Sequence, residues 1–241
     1  MDRQHRHDLK HDKFVDEIGA LSVRARDNQR LLYMIGGAAV VIAAIVFGIY
    51  FFRSSREAKA QDLLAVAIET SEATTGDQQA QQQQQPGTPA PKFKTEAERN
   101  AAAEKQFKDV QAQYSGTDAS DVANIYLARV AAAKGDVKTA QTLLGDFVDE
   151  HPKHILASGA RYSLYQLRIE GGDAGAVATE LDAELKKTDP VLPGDALLVL
   201  LAQAYEKQGQ ADKAREQYRR ITTEFPESPY VVDAQRRSGQ A

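Results

Sequence analysis

His151 and His154 flank Pro152 near the end of a helical stretch, and they are the side chains here best placed to start a metal site. A metal site needs more ligands. No third ligand is evident, so the pair is expected to be a solvated helix terminus. His5, His7 and His11 could also bind a metal if their segment were helical, but they sit in a charged lead that reads as a polar, mobile tail. Asp146, Asp149 and Glu150 gather carboxylates on one helix, which is expected to be a solvated face. The strings that carry phosphate, zinc-protease or serine-hydrolase chemistry (GxxxxGKS/T, HExxH, GxSxG) do not occur. The Gly36–Gly37 pair lies inside an apolar run and cannot act as a phosphate loop. With no cysteine, disulfides, thiolate chemistry and cysteine metal sites are excluded. The expectation is a non-catalytic chain with no metal and no cofactor. A formal net charge of -4 argues against general nucleic-acid binding, which needs a basic footprint.

What remains is a set of elements that could position a binding surface. The strongest is the uncharged run Leu31 to Phe52, 22 residues long. As a helix it measures about 33 Å, enough to cross a bilayer core. Tyr33, Tyr50, Phe51 and Phe52 sit near its ends, where interfacial aromatics belong. A cleavable signal would have a shorter apolar region and a shorter lead. The Ala58–Ala60 "AKA" is separated from the apolar run by Arg53 and Arg56. The run is therefore expected to be an uncleaved transmembrane helix. Seven Lys or Arg precede it and three follow it closely, and counting only the nearest twenty residues gives four against three. That bias predicts a cytoplasmic N-terminus and an extracytoplasmic C-terminal part. Phe14, Ile18 and Leu21 recur at helical spacing, as in a short helix lying on a membrane face.

Beyond the span, Arg56 to Glu72 has helix-forming composition with Leu63, Leu64, Val66 and Ile68. The stretch from Thr74 to Pro91 is rich in Gln, Gly and Pro without periodicity and is expected to be a flexible loop. From Lys94 onward the chain repeats. Gly135, Gly172 and Gly209 are separated by 37 and 37 residues, and Pro152, Pro190 and Pro226 by 38 and 36. Ala140, Ala178 and Ala214 fall between them. A glycine permits the tight turn, small residues let antiparallel helices approach, and the proline ends the second helix. One such hairpin cannot bury its own apolar face, so hairpins must stack.

This pattern resembles the tetratricopeptide repeat. Asp121 to His154 carries Leu127, Ala128, Gly135, Ala140, Leu144, Phe147 and Pro152 at matching positions. Asp195 to Ser228 carries Leu201, Ala202, Tyr205, Gly209, Ala214, Tyr218, Ile221 and Pro226. The middle unit, Ser158 to Pro190, departs: Tyr165 stands where a small residue is expected, and Ala178 and Pro190 fall one residue late. An extra residue in the turn after Gly172 would explain the delay. An interrupted unit precedes these, with Ala103, Phe107, Val110 and Tyr114 on its second helix. The expected fold is all-α: one transmembrane helix, then a tetratricopeptide-type helical-hairpin solenoid. Its parts are a cytoplasmic lead (1–30), the span (31–52) and an interrupted hairpin (53–120) with a Gln/Pro-rich loop (74–93). Repeats follow (121–241), with a C-terminal capping helix over Pro229 to Arg237.

The layout also resembles the bacterial YfgM-like family of membrane-anchored tetratricopeptide proteins, over Arg30 to Ala234. That resemblance implies a single-pass protein of the inner membrane, an accessory of the Sec translocon, with translocon subunits and a periplasmic chaperone as partners. By register with the repeat family, the inward-facing positions are Ile125, Arg129, Tyr162, Gln166, Val199, Gln203 and Glu206. They would form a mixed polar and apolar groove suited to a peptide or a helix. Tyr162 would be its exposed aromatic anchor. A scaffold docking defined proteins, a holder of unfolded secreted clients, and a coordinator of cell-wall or division factors all fit this architecture. A mixed groove leans towards the scaffold, since a holder needs a wide apolar patch.

Overall fold

The computed structural model describes residues 29–81 and 92–239. The histidines His5, His7 and His11, and the helix expected around Phe14, Ile18 and Leu21, lie outside the described residues. The chain divides into two compact units, Met1–Ser55 and Arg56–Ala241.

Helix α1 spans Gln29–Glu72. Its apolar part belongs to the first unit, where an 18-residue stretch averages a hydropathy of 2.4 and none of it is buried. A run so apolar and so exposed is a candidate membrane span.

Among its described residues, the second unit's regular elements are helices, apart from one bridge between Thr75 and Phe93. After α1 come α2 (Gly76–Gln81), α3 (Glu96–Tyr114), α4 (Asp118–Ala133), α5 (Val137–Glu150) and α6 (Ala157–Arg168). A turn kinked at Gly172, Ile169–Asp173, leads into α7 (Ala174–Glu184). Then follow α8 (Gly194–Lys207), α9 (Ala211–Glu224) and α10 (Val231–Ser238). Helix α2 falls inside the stretch expected to be loop. Its start is fixed because the Gly76 and Asp77 N–H groups donate to Phe93 O (2.9 Å) and Lys94 O (3.2 Å), closing the base of the insert.

Each hairpin buries its apolar face against the next. Ala60, Leu64 and Ala67 of α1 share a core with Ala103, Phe107 and Val110 of α3 and Ala119, Ala123 and Leu127 of α4. Ala128 and Ala131 of α4 pack with Ala140, Leu144 and Phe147 of α5 and Ala160 of α6. Tyr165, Val177, Leu181, Leu197 and Leu201 join α6, α7 and α8, and Leu198, Tyr218, Ile221 and Ala234 join α8, α9 and α10. These stacked helix pairs form a tetratricopeptide-type solenoid.

The outer two turns share one design. Gly135 has φ 82° and Gly209 φ 73°. Past α4, the Gly135 N–H donates to Ala132 O and the Asp136 N–H to Ala131 O, both at 2.9 Å; past α8, Gly209 and Gln210 repeat the pair on Glu206 O and Tyr205 O. That is a Schellman ending, which requires a left-handed residue at the glycine.

The middle turn, with Gly172 at φ 100°, does not hold the extra residue that the sequence suggests. Helix α7 starts two residues after Gly172, the same offset as α5 after Gly135 and α9 after Gly209. The buried positions five, nine and twelve residues past each glycine are Ala140, Leu144 and Phe147, then Val177, Leu181 and Glu184, then Ala214, Tyr218 and Ile221. No residue is added to the turn. The extra residue comes after Glu184, which is six residues before Pro190 where Phe147 and Ile221 are five before Pro152 and Pro226. Helix α7 ends at Glu184, whose side chain fills the last buried slot. Glu184 accepts the Val191 N–H (3.3 Å) and the Lys187 ammonium, so its carboxylate ties down the following loop. Burial works to raise its pKa, but Lys187 and the Val191 N–H outweigh that and hold it below the ordinary value.

Two predictions follow from these turns. Gly135→Ala and Gly209→Ala should each destabilise the domain by about 1–2 kcal/mol, the cost of a side chain in the left-handed region. Gly145→Ala, within α5 and facing open space, should instead stabilise by about 0.5–1 kcal/mol; urea unfolding reads both signs. Because the folded pKa of Glu184 is depressed, its contribution is present above its ordinary 4.5 and is lost as pH falls through the folded value. The stability gap between the parent and Glu184→Gln should therefore be present at pH 7 and close in acid.

Candidate functional site

The side chains first suspected of chemistry are structural. His151 Nε2 lies 3.2 Å from Asp121 Oδ2, and His154 Nε2 lies 2.9 Å from Asp118 Oδ1. The Leu156 N–H donates to His154 Nδ1 (3.1 Å), so Nε2 carries the hydrogen given to Asp118. The Phe147 ring packs against both imidazoles, with centroids 5.4 and 5.2 Å away. The expected solvated terminus is thus a staple between the end of α5 and the start of α4. Burial pushes the Asp121 carboxyl up, opposed by His151. Among the described residues, no group of three or more His, Asp or Glu side chains could hold a metal ion. Glu150 and Asp149 are exposed.

The surface with binding character runs across the first helices of the hairpins. A cavity of about 220 Å³ is lined by Ile125, Ala128, Arg129 and Ala132 of α4, Leu144 of α5, Ser163, Gln166 and Leu167 of α6, and Glu170. A second, of about 420 Å³, is lined by Gln166, Ile169, Glu170, Gln203, Glu206, Lys207 and Arg237. Gln166 and Glu170 line both, so the two form one trough from α4 to α10.

Five of the seven expected groove residues line this trough: Ile125, Arg129, Gln166, Gln203 and Glu206. Arg129 is exposed, its guanidinium 5.3 Å from the centre of the Tyr126 ring. Glu206 is engaged by Arg237 of α10 at 3.0 Å. Arg237 also donates to the Tyr218 hydroxyl (3.2 Å), and burial pushes that phenol up to about 12.

The other two are corrections. Val199 is only 7% exposed, packed with Tyr218, Ile221 and Ala234. Helix α8 is covered by α7, α9 and α10 together, and the unbroken apolar run Ala196 to Ala202 was the sequence signal that no stripe of it would stay free. Tyr162 is half-buried against the core between α6 and α8, its phenol beside Tyr230 and Gln203. Burial is the main reason its pKa rises to about 12. It is a strut rather than an exposed anchor.

The residues that sequence reasoning missed are Glu170, Lys207 and Arg237. Glu170 lies four residues past Gln166, one turn along the same face, and could have been found by helical spacing. Arg237 comes from the capping helix, which carries no repeat register. Among the described residues, Glu170 and Lys207 make no ion pair.

Residues 90–240, which contain every helix from α3 to α10, match the family YfiO, described as outer membrane lipoprotein. The chain belongs to the YfiO family. This membership supports a tetratricopeptide-type envelope family; it does not select the YfgM-like member that the layout resembles. No curated protein sequence matches this YfiO-family chain significantly. Two solved structures of Podosopora anserina kinesin light chain nearly identical TPR-like repeats, one a single-substitution variant, are similar to it. Each is 17% identical, covers 76% of this chain and 85% of its own, and has a TM-score of 0.49.

Tyr162→Phe should cost about 1 kcal/mol in thermal or urea unfolding, because Gln203 and Tyr230 lose a partly buried partner. Being a strut, it should leave capture of any partner in the trough unchanged at equal folded concentration.

Proposed function

We propose that this chain is a non-catalytic, membrane-tethered scaffold of the bacterial cell envelope that holds defined proteins in the trough between α4 and α10. The observation that carries this reading is the composition of the trough. Half-buried Ile125, Ala132 and Leu167 share the trough with Arg129, Glu170 and Lys207, a surface that fits one complementary peptide or helix better than many unfolded ones. A holder needs a broad apolar face. Among the described residues of the second unit, the exposed large apolar side chains are Val66, Ile155, Leu156 and Val232, and none lines the trough.

The tether is the apolar part of α1, inserted in the inner membrane with the N-terminus cytoplasmic, as the Lys and Arg balance favours. The family description speaks of an outer membrane lipoprotein, but its match begins at residue 90 and leaves the apolar helix aside. No thiol in these residues can carry a lipid, since cysteine is absent. The segments are then the lead (1–30), the span (31–52), the interrupted hairpin (53–120) and the repeats (121–241). Tethering raises the effective concentration of the domain for partners at the same membrane. The YfgM-like layout supports translocon subunits and a periplasmic chaperone as those partners.

A photo-crosslinking residue at Gln166, which lines both cavities, tests the reading in intact membranes, with Lys138 as a control position outside the trough. A few discrete proteins captured from Gln166 and not from Lys138, translocon subunits or a chaperone among them, is the expected result. A broad smear of secreted clients would instead establish the holder. Wall or division proteins would replace the translocon assignment.

A further inference from the structure

We infer that the loop between α5 and α6 rests on the lipid surface, with Ile155 entering the bilayer interface. This rests on the reading of α1 as a span. Ile155 is 90% exposed and its neighbour Leu156 40% exposed. They are the one adjacent pair among the exposed large apolar side chains described in the second unit, and they stand outside both cavities of the trough. Lys153, two residues before, is exposed and makes no ion pair among the described residues, so a cation stands beside the apolar pair. An isoleucine beside a free lysine suits the boundary between acyl chains and anionic headgroups.

The position of this loop within its unit says which partner covers it. Arg56 and Glu57, the first residues of the second unit, are bound to the turn between α3 and α4. Arg56 donates to Gln113 O (3.3 Å), and the Glu57 carboxylate accepts the N–H groups of Asp118 (2.8 Å) and Ala119 (3.1 Å). Asp118 in turn holds His154, and His154 accepts the Leu156 N–H. A continuous set of hydrogen bonds therefore fixes Ile155 at the end of the domain where the chain enters it. Glu57 follows Phe52, the last apolar residue of the run, by five residues, a reach of at most about 18 Å. Any domain tethered so shortly keeps its entry end close to the bilayer, and the exposed apolar pair is on that end. The loop is built rigidly enough to present it: the His154 N–H donates to His151 O (3.0 Å) and the Ala157 N–H to His154 O (2.9 Å).

The chain has no tryptophan, so one introduced indole is an unambiguous depth probe. Full-length Ile155→Trp, Lys138→Trp and Phe47→Trp would each be reconstituted into phosphatidylcholine–phosphatidylglycerol vesicles, with and without brominated acyl chains. Lys138 is the second residue of α5, about 18 Å along the helix from its last residue before the loop. The inference predicts strong quenching at position 47, quenching at 155 of at least twofold, and none at 138. Quenching at 47 but not at 155 overturns it while leaving the span intact. No quenching at 47 rejects the span itself, and the inference with it. Equal quenching at 155 and 138 also overturns it, because contact would then not be confined to the entry end.

Discussion

A pair of short helices exposes an apolar face that it cannot cover alone, and every feature of the second unit answers to that constraint. Ala128, Ala160 and Ala202 are small enough to let the next helix close over them, and they are 0–2% exposed. Phe107, Phe147, Leu181 and Ile221 fill the remaining space. The stack closes at α10, where Ala234 is buried and Arg237 ties back to Glu206 and Tyr218. Stability comes from neighbours, as in repeat proteins generally. The first helices are thereby lined up side by side, and their uncovered edges become the trough.

The middle hairpin shows what the stack tolerates. Its turn is kinked at Gly172 (φ 100°), and Gly171 lies against α5, where a side chain would meet Gln141 Nε2 at 3.2 Å. Its last core slot holds Glu184, kept ionised by Lys187 and Val191. Neither Gly171 nor Glu184 lines the trough, while Glu170, in the same turn as Gly171, lines both cavities.

The repeat was legible because its signals are local. Gly135, Gly172 and Gly209 all adopt positive φ; Ala128, Ala140, Phe147, Ala202, Ala214 and Tyr218 of the outer hairpins are buried where their spacing implied, and Tyr205 is half-buried. What could not be read depends on elements distant in sequence. Val199 sits in register with groove positions, yet Ala234 and Tyr218 cover it. Tyr162 looks like a free aromatic until Tyr230 reaches it. The delay of Pro190 is visible in the sequence, but only the buried slots past Gly172 place it after Glu184 and not in the turn. The carboxylate partners of His151 and His154 are roughly thirty residues upstream, so no local string could reveal the staple.

The central claim is that a protein partner occupies the trough of a membrane-tethered solenoid. The most direct measurement is quantitative mass spectrometry of what co-purifies with the full-length chain from gently solubilised membranes, comparing the parent with Gln166→Trp. The indole would fill the junction of the two cavities, and a melting curve verifies that the variant is folded. The account predicts a small set of envelope proteins recovered with the parent and reduced several-fold with the variant at equal stability. The same proteins recovered equally from both would contradict it, because the trough would then not be where they bind.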